Sequence, residues 1–205
     1  FLFLAITNAV NLIDGLDGLA TGVSIIALFT MGVIAYFFLS ITNVSVSIMI
    51  FCLAAALIGF LPHNFHPAKI FLGDTGALFI GFMIAVLSLK GLKNVTFITL
   101  LIPVIILGVP ITDTVYAMLR RILNRKPISQ ADKHHLHHRL MQLGLSHRQT
   151  VLVIYGLALV FSLISLLYPL STLWCSVALT IAVLIGLELF VESIGLVGDN
   201  RQPLL

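Results

Sequence analysis

Charge is scarce in this 205-residue sequence: 9% of its residues are charged and 60% are hydrophobic, whereas a soluble domain carries about a quarter charged. So little polar material cannot cover a water-exposed surface. The composition therefore points to an integral membrane chain, and one whose backbone polar groups must be satisfied internally in lipid, which makes it all-α. A net charge of +3 with dispersed basic residues excludes a nucleic-acid-binding class. Cysteine is nearly absent. Cys52 and Cys175 each lie in apolar runs and read as small buried hydrophobes, not as a disulfide. Residues 1–6 (FLFLAI) read as the end of an apolar helix, without the basic start and small-residue cleavage site of a signal peptide. The expectation is a single membrane domain, residues 1–205, continuing a helix whose beginning lies before Phe1.

A bilayer span takes about 20 apolar residues. After the initial helix end, spans are expected near 19–39, 45–62, 75–89, 95–111, 150–168 and 173–194. This predicts a polytopic helical bundle of about six full spans. The 75–89 run is short, so its helix is expected to begin within the preceding connection. Tyr168 and Trp174 fit an aromatic interface belt. Alternate connections share a side. One side holds 7–18, 63–74, the long loop 112–149 and the tail. It carries Lys69, Arg120, Arg121, Arg125, Lys126, Lys133, Arg139, Arg148 and Arg201, against Lys90 and Lys93 on the other. The positive-inside rule makes the first side cytoplasmic. All seven histidines and most of the carboxylates fall on that same side. Charge asymmetry alone does not explain them, and ionisable groups at membrane depth are usually functional.

Three segments there carry chemistry. In Asn8-Ala-Val-Asn11-Leu-Ile-Asp14-Gly15-Leu-Asp17-Gly18, spacing three would scatter the polar residues around one helix, and the glycines suggest that the helix ends. The result is a polar loop of carboxylate and amide oxygens suited to Mg²⁺ and a nucleotide diphosphate. Helix capping needs one such residue, not four. In Phe71-Leu72-Gly73-Asp74-Thr75-Gly76, Asp74 is either a helix cap or a second carboxylate for the same cation, with Gly73 admitting a phosphate close to the backbone. In Asp132-Lys133-His134-His135-Leu136-His137-His138-Arg139, the His134/His138 spacing is that of zinc ligands on a helix. The cationic surroundings suit a diphosphate better. Asp113, in Pro110-Ile-Thr-Asp113-Thr114, reads equally as a helix-end anchor or as part of a site. Glu188 and Glu192 are expected to face the bundle or the interface.

NAVNLIDGLDGLA, FLGDTG, PITDT and the H-x-H-H run in ADKHHLHHRLMQLG resemble, in order and spacing, the polyprenyl-phosphate N-acetylhexosamine-1-phosphate transferases. Within them, His135, His137 and His138 look closer to the bacterial undecaprenyl-phosphate N-acetylglucosamine-1-phosphate transferases. The phospho-N-acetylmuramoyl-pentapeptide transferases typically show three consecutive histidines here.

The resemblance implies Mg²⁺-dependent transfer (Mn²⁺ as substitute) of a sugar-1-phosphate from UDP-GlcNAc to undecaprenyl phosphate, opening synthesis of a cell-envelope glycopolymer. It implies Asn11 and Asp74 near the metal, and Asp14 and Asp17 lining the uridine and metal pocket. Phe71 would stack on uracil. His135, His137 and His138, with Lys133 and Arg139, would close over the diphosphate and sugar, and Asn8 would stand at the substrate side. A plasma-membrane setting follows, and a homodimer is compatible with it. The family also carries a paired-aspartate motif, and no Asp-Asp pair occurs here, so this chain alone is expected to be inactive. A transporter segment, whose polar residues belong at mid-membrane, and a zinc hydrolase, which needs a carboxylate beside its histidines, fit less well.

Overall fold

A computed structural model describes residues 2–38, 44–91, 97–123 and 135–194. The helices are α1 (Leu2–Leu12), α2 (Leu19–Phe37), α3 (Val44–Asn64), α4 (Gly73–Gly91), α5 (Phe97–Ile106), α6 (Gly108–Leu123), α7 (Leu136–Gln142), α8 (His147–Ser165) and α9 (Leu173–Ile194). No strand occurs among the described residues. Among the described residues, five segments are long and apolar enough to span a membrane: Leu19–Phe37, Val44–Asn64, Gly73–Lys90, His147–Leu170 and Leu173–Phe190. As expected, α4 begins inside the preceding connection.

The run expected at 95–111 differs. It is divided at Leu107 between α5 and α6. Pro110 has no amide hydrogen, so the carbonyl of Ile106 loses the donor that a regular helix would offer it. The ladder resumes with Ile111 N–H donating to Leu107 O at 3.0 Å. Helix α6 then continues to Leu123, so Asp113, Arg120 and Arg121 are helical. The stretch 112–149 is not an open loop but contains the end of α6, all of α7 and the start of α8.

Helix α2 is the central post. Of its apolar window 72% is buried, against 6% for α9, and it packs between α3 and α8 while α1 lies along α4. The α1–α4 approach depends on Gly81, where an added Cβ would come within 2.8 Å of Thr7 Cα. Small residues allow such close helix contact, which is what holds helices together in lipid. One apolar cluster includes Ile6, Leu28, Ile50 and Ile84. A second, with Ile13, Leu19, Leu136, Val151 and Ile154, lies beneath the polar end of the bundle and seats α7 on α2 and α8.

Three side chains depart from expectation. Cys52 and Cys175 are exposed on the outside of the bundle. In a bilayer the solvent is as apolar as the core, so hydrophobic surroundings in sequence do not separate inside from outside. Tyr168 is buried and shares a 2.9 Å hydrogen bond with Thr180, which takes it out of an interface belt. Trp174 is 81% exposed at the start of α9.

Candidate active site

The polar residues converge on one end of the bundle. Helix α1 stops at Leu12, and a tight turn follows in which Gly15 N–H donates to Ile13 O at 2.8 Å. Asn11, in the last turn of α1, donates from Nδ2 to Asp74 Oδ1 at 3.2 Å. Asp74 stands in the first turn of α4, where the helix dipole favours a carboxylate. Asp14 is half-buried in the adjoining turn. Burial, then the negative charges of Asp74 and Asp17, push its carboxyl up to about 6. A half-buried carboxyl raised in this way, with two further carboxylates near it, marks a place short of positive charge. An oxygen-rich, electron-rich corner of this kind fits Mg²⁺, which takes carboxylate and amide oxygens.

Asp17 lies on the other side of the turn. Its Oδ2 accepts from Ala68 N–H at 3.1 Å and lies 2.9 Å from His66 Nδ1. Burial would raise this carboxyl, but the bonds from His66 and Ala68, with the charges of His147 and His66, win and hold it below the usual range. The 63–70 connection is fixed by Asn64, which is buried. Asn64 accepts from Thr21 Oγ1 at 2.6 Å and donates to Ile70 O at 3.0 Å. Beyond it, Phe71 is 73% exposed. Gly73 takes the left-handed φ of 66° that favours glycine. Nothing lies within 4 Å of a Cβ placed there.

The histidine segment closes over this corner. Asp113 of α6 accepts from Leu136 N–H through Oδ1 at 2.8 Å, and its Oδ2 lies 2.9 Å from His135 Nδ1. It thereby caps α7 from a neighbouring helix and orients the first imidazole. His137 lies against Gly15, where a Cβ would meet its ring at 2.5 Å. Burial, then the charge of His138, whose tilted ring lies 4.2 Å away, lower His137 to about 4. His137 is therefore a neutral imidazole at physiological pH. Desolvation here outweighs the pull of Asp113. His135 is buried, and His138 is half-buried.

The structure thus joins Asn11, Asp14, Asp17, Asp74, His135, His137 and His138 in one region. Asn8 does not join them: it is exposed and donates to Leu4 O at 2.7 Å, satisfied one turn back on its own helix. Arg139 donates to Gln142 at 3.1 Å along α7. Lys133, with Asp132 and His134, lies outside the described residues. Sequence reasoning undervalued Asp113, Asn64, His66 and His147. A buried Asn or Asp signals its importance only through partners distant in sequence. Glu188 is exposed and accepts from Tyr116 OH at 2.5 Å. The Glu192 side chain lies outside the described residues. A cavity of about 400 Å³ between α6, α8 and α9 is lined mainly by apolar side chains, among them Leu157, Phe161, Leu179 and Leu187, and it reaches Thr112 and Asp113.

Residues 1–92 match the profile described as glycosyl transferase family 4. A Bacillus subtilis (strain 168) protein described as "Probable undecaprenyl-phosphate N-acetylglucosaminyl 1-phosphate transferase" is 50% identical over 201 residues, covering 98% of this chain and 55% of that protein. A Mycobacterium tuberculosis (strain ATCC 25618 / H37Rv) decaprenyl-phosphate N-acetylglucosaminephosphotransferase is 39% identical, over 75% of this chain and 42% of its own length. A Staphylococcus aureus (strain bovine RF122 / ET3-1) phospho-N-acetylmuramoyl-pentapeptide-transferase is 40% identical, over 81% and 49%. The chain spans about half the length of these relatives. The family profile covers the segments that carry Asn11, Asp14, Asp17 and Asp74, and the chain belongs to glycosyl transferase family 4.

Proposed function

We propose that this chain supplies much of the active site of a polyprenyl-phosphate N-acetylglucosamine-1-phosphate transferase that faces the cytoplasm. The observation that carries the reading is the Asn11–Asp74 bond beside the raised Asp14 carboxyl, an arrangement suited to a divalent cation and a diphosphate. The donor is UDP-GlcNAc and the acceptor is undecaprenyl phosphate. An acceptor phosphate oxygen bonds to the β-phosphorus of the donor, the bond from that phosphorus to the bridging oxygen breaks, and UMP leaves with its electron pair. In such chemistry positioning and electrostatics do most of the work.

Asp74 and Asn11 would hold Mg²⁺, which when bound neutralises diphosphate charge. Asp17, fixed by Ala68 N–H and His66, lines the nucleotide side, and exposed Phe71 offers a face for the base. Gly73 leaves the backbone open for a phosphate oxygen. His135, oriented by Asp113, and neutral His137 offer hydrogen bonds to the transferring group. The apolar cavity that ends at Thr112 and Asp113 suits the isoprenoid chain of the acceptor.

The test is UMP release by membranes carrying the full-length parent, with UDP-GlcNAc and UDP-MurNAc-pentapeptide offered separately together with undecaprenyl phosphate. Turnover with UDP-GlcNAc that is lost in Asp74→Asn supports the reading. Turnover with the muramyl substrate alone replaces it by the pentapeptide-transferase activity named for the Staphylococcus relative.

A further inference from the structure

Beside Asp17 stand two histidines, His66 and His147, to which the proposed transfer gives no contact with substrate. Asp17, His66 and His147 come from the α1–α2 turn, the α3–α4 connection and the start of α8. Each offers one ligand atom, and the three atoms lie within 4.8 Å of one another. A point shared by three atoms so spaced lies within about 2.8 Å of each, so side-chain rotation is enough to reach the roughly 2.0–2.2 Å of zinc–nitrogen and zinc–oxygen bonds.

We propose that Asp17, His66 and His147 form a binding site for a transition metal of the zinc type, separate from the oxygen-lined corner at Asn11 and Asp74. Two imidazoles and one carboxylate match zinc, cobalt or nickel and are a poor set for Mg²⁺, which prefers oxygen alone. The supports of such a site are already present. Ala68 N–H holds the Asp17 carboxylate at 3.1 Å. Arg148 Nε donates to His66 O at 3.2 Å and anchors that residue's backbone. Ser146 and Gln149 form a reciprocal cap that fixes the turn carrying His147. Outer contacts of this kind orient metal ligands. The Nε2 atom of His147 is buried without a hydrogen-bond partner, an unmet need that a metal or a water would answer.

The rings of His66 and His147 stack at 4.0 Å and 20°, so they are held together before any ion arrives. Capture swings them out of the stack and replaces the Asp17–His66 hydrogen bond. His66 is partly open to solvent, at 37% of its side chain, which provides an entry path and a place for a fourth ligand from water.

The test is Co²⁺ and Zn²⁺ binding by the untagged chain in detergent, followed by the visible absorption of bound Co²⁺ and by metal analysis. It needs no turnover and so stands or falls independently of the transferase reading. The expected result is one bound equivalent that millimolar Mg²⁺ does not displace. Affinity should fall at least about tenfold in His66→Gln, His147→Gln and Asp17→Asn, and stay unchanged in His138→Gln. If one variant does not fold, the other two decide. No bound equivalent, displacement by Mg²⁺, or loss in His138→Gln alone would overturn the proposal.

Discussion

Asp113 reaches from α6 to α7 with both carboxylate oxygens, one on Leu136 N–H and one on His135 Nδ1, at 2.8 and 2.9 Å. One side chain therefore sets both the helix start and the orientation of its first histidine. Asp113→Asn keeps the shape but offers one acceptor in place of two. On the proposed function, kcat should drop about 10- to 100-fold with a smaller change in KM, as for other residues that orient a catalytic group. A matched fall in kcat and in the amount of folded protein would indicate a purely structural role.

Asn11 and Asp74 meet because α1 and α4 touch at Gly81. Gly81→Ala places a Cβ 2.8 Å from Thr7 Cα, on backbone that cannot turn aside. The variant should lose about 1–3 kcal/mol of stability and bind Mg²⁺ more weakly, although residue 81 contacts no substrate. Calorimetric Mg²⁺ titration of Gly81→Ala beside Asn11→Ala checks this. Unchanged affinity in Gly81→Ala would separate helix approach from the site.

Gly15→Ala tests the roof. Its Cβ would lie 2.5 Å from the His137 ring, and that ring is buried. Activity should fall at least about tenfold, with the loss recovered in part when His137 is also made smaller, as expected for side chains in contact. Additive effects in the double variant would contradict the packing.

Asp14 and His137 titrate in opposite senses. Asp14 is raised to about 6 and His137 lowered to about 4, from ordinary values of 3.8 and 6.5. As pH falls from about 6 toward 4, the folded chain takes up a proton on Asp14 that the unfolded chain does not, which stabilises it. Over the same range the unfolded chain protonates His137 and the folded chain does not, which destabilises it. The two contributions oppose. His137→Gln should make the metal-free chain more stable on mild acidification, and Asp14→Asn less stable. Thermal unfolding in EDTA at pH 7, 6 and 5 reads both, and parallel curves for the two variants would refute the assignment. Because Mg²⁺ prefers the ionised carboxyl, its affinity should fall as pH drops through about 6.

The helical spans were legible because apolar runs of bilayer length have one structural solution in lipid. The motif residues at one end were legible too, since polar groups beside such runs are conspicuous. The break at Leu107 was harder. Pro103 and Pro110 are both tolerated in membrane helices, and only the ladder itself shows that Pro110 ends α5. His137 has basic neighbours in sequence, and they say nothing of its burial. Its neutrality comes from burial against Gly15, which a residue 122 positions away supplies only after folding. Asn64 and His66 precede FLGDTG in sequence, and their hold on Thr21 of α2 and on Asp17 emerges only in the fold.

The clamp at Asp113 has a consequence for how this region forms. The histidines of α7 are held by contacts from far apart in the chain: His135 by Asp113 of α6 and His137 against Gly15 of the α1–α2 turn. Contacts so distant in sequence are closed at an entropic cost. The polar end is therefore a late product of folding, completed only once α1 and α6 have come together.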